Sequence, residues 1–119
     1  MISLWIGIVV GLLIASAVLV KILARASGAT SADVKEKIRQ GAVTIDVRTP
    51  SEYQSGHYTG AKNIPLQELQ GRLTEIGGKN KAIVIYCASG MRSAEAVKIL
   101  TAAGFTDVTN AGGLSNLKQ

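Results

Sequence analysis

The residues of this 119-residue chain best suited to covalent chemistry stand together at Cys87-Ala88-Ser89-Gly90-Met91-Arg92-Ser93. Cys87 is the only cysteine. It follows an apolar run, Ala82 to Tyr86, and precedes a helix-like run, Ser93 to Ala103. In an α/β sheet, sites form beyond the carboxyl ends of strands. There the backbone N–H groups of a loop and of the next helix's first turn converge on one point. With the helix dipole they stabilise an anion. The same field lowers a thiol's pKa, and the thiolate is the nucleophile. Gly90 lets the backbone curl, Arg92 brings a fixed positive charge, and Ser93 is expected to open the helix.

The flanking elements must build this loop. Ala82-Ile83-Val84-Ile85-Tyr86 is a continuous apolar run of strand length, as in a parallel strand covered on both faces. Thr30 caps a helix through Arg39, with Val34 and Ile38 inward and Gly41 as its stop. Ala42 to Val47 reads as a strand, and Thr49-Pro50-Ser51-Glu52 as a helix start. Asn63-Ile64-Pro65 is a brief strand. Leu66 to Ile76 is expected as one helix presenting Leu66, Leu69, Leu73 and Ile76, and Gly77-Gly78 ends it. Asp107 to Asn110 is the last strand, with a short turn at Leu114 and Leu117 after it. The alternation predicts an α/β domain with a mainly parallel central sheet flanked by helices.

Asp46 is read as a supporting residue that accepts backbone hydrogen bonds and shapes the neighbouring loop. Arg48 is expected either to pair with Glu52 or to lie at the site mouth. His57, the only histidine, is read as packing and hydrogen bonding rather than as a general base. One thiol, one histidine and no Cys-x-x-Cys argue against a structural zinc site, and no other metal or cofactor is expected.

From Gly28 onward there are 11 basic and eight acidic residues, a balance of +3, too mild and scattered for nucleic acid. Before that point, Ile2 to Val20 carries no charge, and Lys21 and Arg25 follow. Such a run is long enough to cross a bilayer core of about 30 Å. Residues 2–24 are therefore expected as a single transmembrane helix, 25–30 as a linker and 31–119 as the domain. Ala24-Arg25-Ala26 resembles a cleavage site, but a basic n-region is missing and the apolar run exceeds a usual h-region. The two flanking charges put the domain on the cytoplasmic side. Trp5 suits an interfacial anchor, and Gly7 and Gly11 offer a face for close pairing into a homodimer within membrane lipid.

The loop length narrows the chemistry. Cys-x5-Arg is the phosphate cradle of cysteine phosphatases; here Arg92 stands one residue closer to Cys87. The shorter loop fits a single terminal sulfur better than a tetrahedral phosphate, which argues for a cysteine persulfide. Three further stretches agree: Asp46-Val47-Arg48-Thr49-Pro50-Ser51-Glu52-Tyr53, Gly56 to Pro65, and Asn110-Ala111-Gly112-Gly113. Together with the Cys87 loop they resemble the motifs of single-domain rhodaneses, a sulfurtransferase family. The resemblance covers the chain from about Ser31 onward. It implies Cys87 as the sulfur-carrying nucleophile, Ala88, Ser89, Gly90, Met91 and Arg92 as the persulfide cradle, and Arg92 as the anion-binding side chain. It implies a small donor (thiosulfate, polysulfide or persulfide) and a thiol or protein acceptor. With the anchor it is similar to bacterial rhodanese-domain proteins of the inner membrane. Ala88 stands where many relatives carry Arg or Gln, so thiosulfate is expected to be a poor donor. The alternative is a catalytically weak, membrane-tethered module that recruits a partner; a phosphatase is a distant third.

Overall fold

The computed structural model describes residues 29–117. The expected membrane helix, the Gly7/Gly11 face and most of the linker lie outside the described residues. Among the described residues no helix is long and apolar enough to cross a membrane.

Helix α1, Ser31–Arg39, starts where the Thr30 hydroxyl accepts the Asp33 N–H at 3.3 Å. Strand β1, Val43–Asp46, follows, then α2, Pro50–Gln54. Thr49 and Glu52 form a reciprocal capping box around the start of α2, with Pro50 at its first turn. Strand β2 is only Lys62–Asn63, and α3 only Leu66–Leu69. A 3₁₀ turn, Leu73–Glu75, leads to β3, Ile83–Cys87. Helix α4, Met91–Ala102, strand β4, Val108–Gly113, and helix α5, Leu114–Leu117, complete the order.

The four strands lie β2-β1-β3-β4, all parallel. The interior strand β3 is buried along its whole length, as its unbroken apolar sequence requires. Its alternation splits the core in two. Ile83, Ile85 and Cys87 face a cluster with Leu69, Ala96, Leu100 and Phe105. Val84 and Tyr86 face another with Val34, Ala111 and Leu117. Fully burying each large aliphatic side chain contributes about 1.5–3 kcal/mol, so these two layers hold β3, and with it Cys87.

Several expected boundaries move: β1 is shorter at both ends than Ala42–Val47, and β2 lies at Lys62–Asn63 rather than Asn63–Pro65. The helix expected over Leu66–Ile76 breaks at Gly71, a poor helix former. Arg72 leaves helical geometry there, and its guanidinium pairs with both Glu68 (3.3 Å) and Glu75 (2.6 Å). Leu69 and Ile76 are still buried, and Leu66 and Leu73 still pack on the core. Helix α4 begins at Met91 rather than Ser93, after Gly90 in the left-handed region at φ 97°. Strand β4 continues three residues past Asn110, because Gly112 and Gly113 pair with Tyr86 and Cys87. The register shifts between Ile85 and Tyr86, with Ala111 as the extra residue of a bulge.

Candidate active site

Cys87 is the last residue of β3, and its side chain is fully buried. Its sulfur lies under the loop that joins β3 to α4. The Gly90 N–H donates to Sγ at 2.9 Å and the Ser93 N–H at 3.4 Å. The Ser93 hydroxyl is 3.4 Å from the same sulfur. Burial pushes the Cys87 thiol up. The Ser93 hydroxyl and the backbone N–H groups of Ser93, Gly90 and Ser89 more than offset it, and the thiol ends below its ordinary value. The Ala88 and Ser89 side chains above are small and exposed, so little bulk separates the sulfur from solvent.

Ser93 does not cap the helix. It sits inside the first turn of α4, fully buried. Its hydroxyl has one proton and three acceptors in reach: Asn110 Oδ1 at 2.7 Å, the Gly90 carbonyl at 3.1 Å and Sγ. The orientation of the Asn110 amide follows from its neighbours. The Gly112 N–H can only donate, so the atom 2.8 Å from it is Oδ1. Nδ2 then bonds the Gly90 carbonyl at 3.3 Å. Asn110 therefore ties β4, the loop and the Ser93 hydroxyl together, and the hydroxyl can turn to the sulfur when it becomes a thiolate. Ser93→Ala is expected to shift the pH midpoint of Cys87 alkylation by iodoacetamide upward. A midpoint that stays in place would rule out this role for the hydroxyl.

Arg92 lies near Cys87 but does not stand free. It makes a bidentate ion pair with Glu52 of α2, Nη1 to Oε1 at 2.7 Å and Nη2 to Oε2 at 3.0 Å. The pair holds the Glu52 carboxyl down at about 2, so it stays ionised throughout the neutral range. The Glu52 carboxylate raises the Arg92 guanidinium most, and the Cys87 thiolate and the Asp46 carboxylate add to it. Met91, placed in the cradle from the sequence, opens α4 with its side chain 81% exposed, so only its backbone belongs to the loop.

Asp46 and Arg48 belong to a layer behind the loop. Arg48 pairs with neither Glu52 nor the site mouth but with Asp46, Nη2 to Oδ2 at 2.7 Å. Asp46 Oδ1 also accepts the Arg48 backbone N–H at 2.9 Å, the role expected of it. Tyr86, next to the nucleophile, donates its hydroxyl to Asp46 Oδ2 at 2.7 Å and accepts the Tyr58 N–H at 3.0 Å. Burial first, then the adjoining carboxylate, push that phenol up to about 12. His57 stacks on Tyr53 at 3.6 Å between ring centroids, with Nδ1 2.8 Å from the Tyr53 carbonyl, so it is a packing residue.

Sequence reading missed two residues. The sequence offers Glu52 as part of a helix start and as a partner for Arg48, not for Arg92, and Asn110 as the end of a strand within a closing motif, not as a partner of Ser93. Neither has a local signal, because each meets its partner across the fold.

The geometry is that of a thiolate held by loop amides, and the relatives agree. Residues 30–119 match the family model for the rhodanese-like domain. The thiosulfate sulfurtransferase PspE of Escherichia coli (strain K12) is 46% identical over 74 residues, covering 61% of this chain and 71% of that protein. A sulfurtransferase of Allochromatium vinosum is 35% identical over 74 residues, covering 62% and 68%. The solved structure of a rhodanese with anions from E. coli matches with a TM-score of 0.61 at 44% identity, over 64% of this chain and 91% of that one. With the family match extending over most of its length and the strand-end cysteine loop in place, this chain belongs to the rhodanese-like domain family.

Proposed function

We propose that this chain carries sulfane sulfur as a persulfide on Cys87 and delivers it to a thiol or another nucleophilic acceptor. It is a rhodanese-type sulfurtransferase, and such an enzyme takes sulfur from a donor and hands it to a thiol or protein acceptor. The observation that carries the reading is the sulfur itself, held by the Gly90 and Ser93 N–H groups with its pKa lowered. In the first step the Cys87 thiolate attacks the terminal sulfur of the donor. The donor's S–S bond breaks and its electron pair leaves with sulfite or a thiolate. Cys87 then bears –S–S⁻, whose charge the loop amides stabilise. In the second step an acceptor thiolate attacks the outer sulfur, takes it as a new persulfide and releases the Cys87 thiolate. No net oxidation occurs, and charge is conserved in both steps.

Donor-treated protein is expected to gain the mass of one sulfur, with no gain in Cys87→Ser. A wild-type chain that stays unmodified with thiosulfate, polysulfide and glutathione persulfide alike would overturn the reading. The lowered thiol favours it over the recruiting module, which needs no reactive sulfur.

The same chain is proposed to be held at a membrane by residues 2–24, with the domain on the cytoplasmic side. The uncharged run Ile2 to Val20, followed by Lys21 and Arg25, supports this. The full chain should stay with the membrane pellet through an alkaline carbonate wash; release into the supernatant would reject the anchor.

A further inference from the structure

We infer that Glu52 is a specificity-determining residue: by occupying Arg92 it discriminates against dianionic sulfur donors such as thiosulfate and favours monoanionic persulfides. The inference rests on the persulfide reading of Cys87 and names its donor class.

The carboxylate is fixed on two sides. From α2, the Thr49 N–H and hydroxyl approach Oε1 at 3.2 and 3.1 Å. From the loop, Arg92 engages both oxygens. Glu52 therefore cannot swing away without losing its cap and its ion pair together. The pair is about one-third exposed on each side (35% and 34%), so an arriving donor meets it.

The rest of the loop, Ala88, Ser89, Gly90 and Met91, carries no charge. Asp46 and Arg48, behind the loop, are buried and paired with each other. Arg92 is thus the loop's only cation, and Glu52 cancels it. Coulomb energy scales with the product of the charges. A dianion therefore loses twice what a monoanion loses when Arg92 is neutralised, and it must compete with Glu52 for the guanidinium. Loop amides, which bind one terminal sulfur regardless of what lies behind it, become the main attraction, and they serve both donor classes.

The test compares the full chain with Glu52→Gln, Arg92→Gln and the double variant, using thiosulfate and 2-hydroxyethyl persulfide, whose single charge is on the persulfide, with a thiol acceptor. The quantity read is the ratio of kcat/KM for thiosulfate to that for persulfide. Gln keeps an amide oxygen for the capping box while removing the charge. Glu52→Gln is expected to raise the ratio about fivefold, chiefly through the KM for thiosulfate. Arg92→Gln is expected to lower it, and the double variant to return near the wild type. A ratio in Glu52→Gln within about twofold of wild type, or an equal loss with both donors, overturns the inference and leaves Glu52 a structural residue. Should Glu52→Gln fail to fold, Arg92→Gln decides: an unchanged ratio overturns the inference. If the wild type accepts sulfur from neither donor, the persulfide reading itself fails, and the absence of any loaded Cys87 by mass tells that failure apart.

Discussion

Asp46→Ala is expected to remove about 3–5 kcal/mol of folding stability, most of what a small domain has when the whole is about 5–15 kcal/mol. Asp46 is completely buried and Arg48 nearly so. The carboxylate is the common acceptor for the Arg48 Nε at 3.0 Å, its Nη2 at 2.7 Å, its backbone N–H at 2.9 Å and the Tyr86 hydroxyl at 2.7 Å. The remaining guanidinium bond, to the Gly56 carbonyl at 2.8 Å, and the Tyr86 ring 5.6 Å away cannot replace it. Truncation leaves a buried cation, a buried amide and a buried phenol without their partner, and an uncompensated buried charge is the largest of these losses. Asp46→Leu with Arg48→Met should recover part of it, because removing both charges leaves none to desolvate. The urea midpoint at unchanged slope measures both variants. A shift of Asp46→Ala equivalent to less than about 1 kcal/mol would show that the network contributes little.

The second large effect is steric. A Cβ at Gly113 would lie 2.5 Å from the Ala88 carbonyl oxygen, closer than real Cβ contacts come. Neither side yields easily. Gly113 pairs with Cys87 in the sheet, and Ala88 follows the nucleophile directly. Gly113→Ala must therefore push the start of the loop outward by about half an ångström. Loop amides aimed at a sulfur tolerate such shifts poorly: displacements near 1 Å cost about 10²-fold in rate. A 10- to 100-fold loss of sulfur transfer is expected, with a stability loss of about 1–3 kcal/mol from overpacking. Gly78→Ala is the control, since a Cβ there meets nothing within 4 Å. Equal activity of the two variants would show that the loop absorbs the clash.

Both effects concern contacts between residues far apart in the chain, and the boundary of what sequence reveals lies there. Local features were legible. The Thr30 and Thr49 caps, the unbroken apolar β3, the parallel sheet and the cysteine at its strand end all follow from side chains acting on their own or adjacent backbone. The apolar spacing of Leu66, Leu69, Leu73 and Ile76 correctly named residues that reach the core. It could not say that the backbone between them breaks at Gly71, because periodicity reports which side chains are buried, not which hydrogen bonds join them.

Tertiary structure decided the partners. Arg48 chose Asp46, two residues away and buried beside it, whereas Glu52 chose Arg92, 40 residues away. A charge carries no address in sequence, and only the packing of α2 against the loop brings that pair together. Asn110 acquired its place at the sulfur in the same way, through the register that lays β4 beside β3. Residue types and spacing were enough to determine that one thiol would sit at a strand end under a short loop suited to an anion. Which side chains would hold that loop, and with what net charge, was decided by the fold, because those contacts exist only once the sheet has closed.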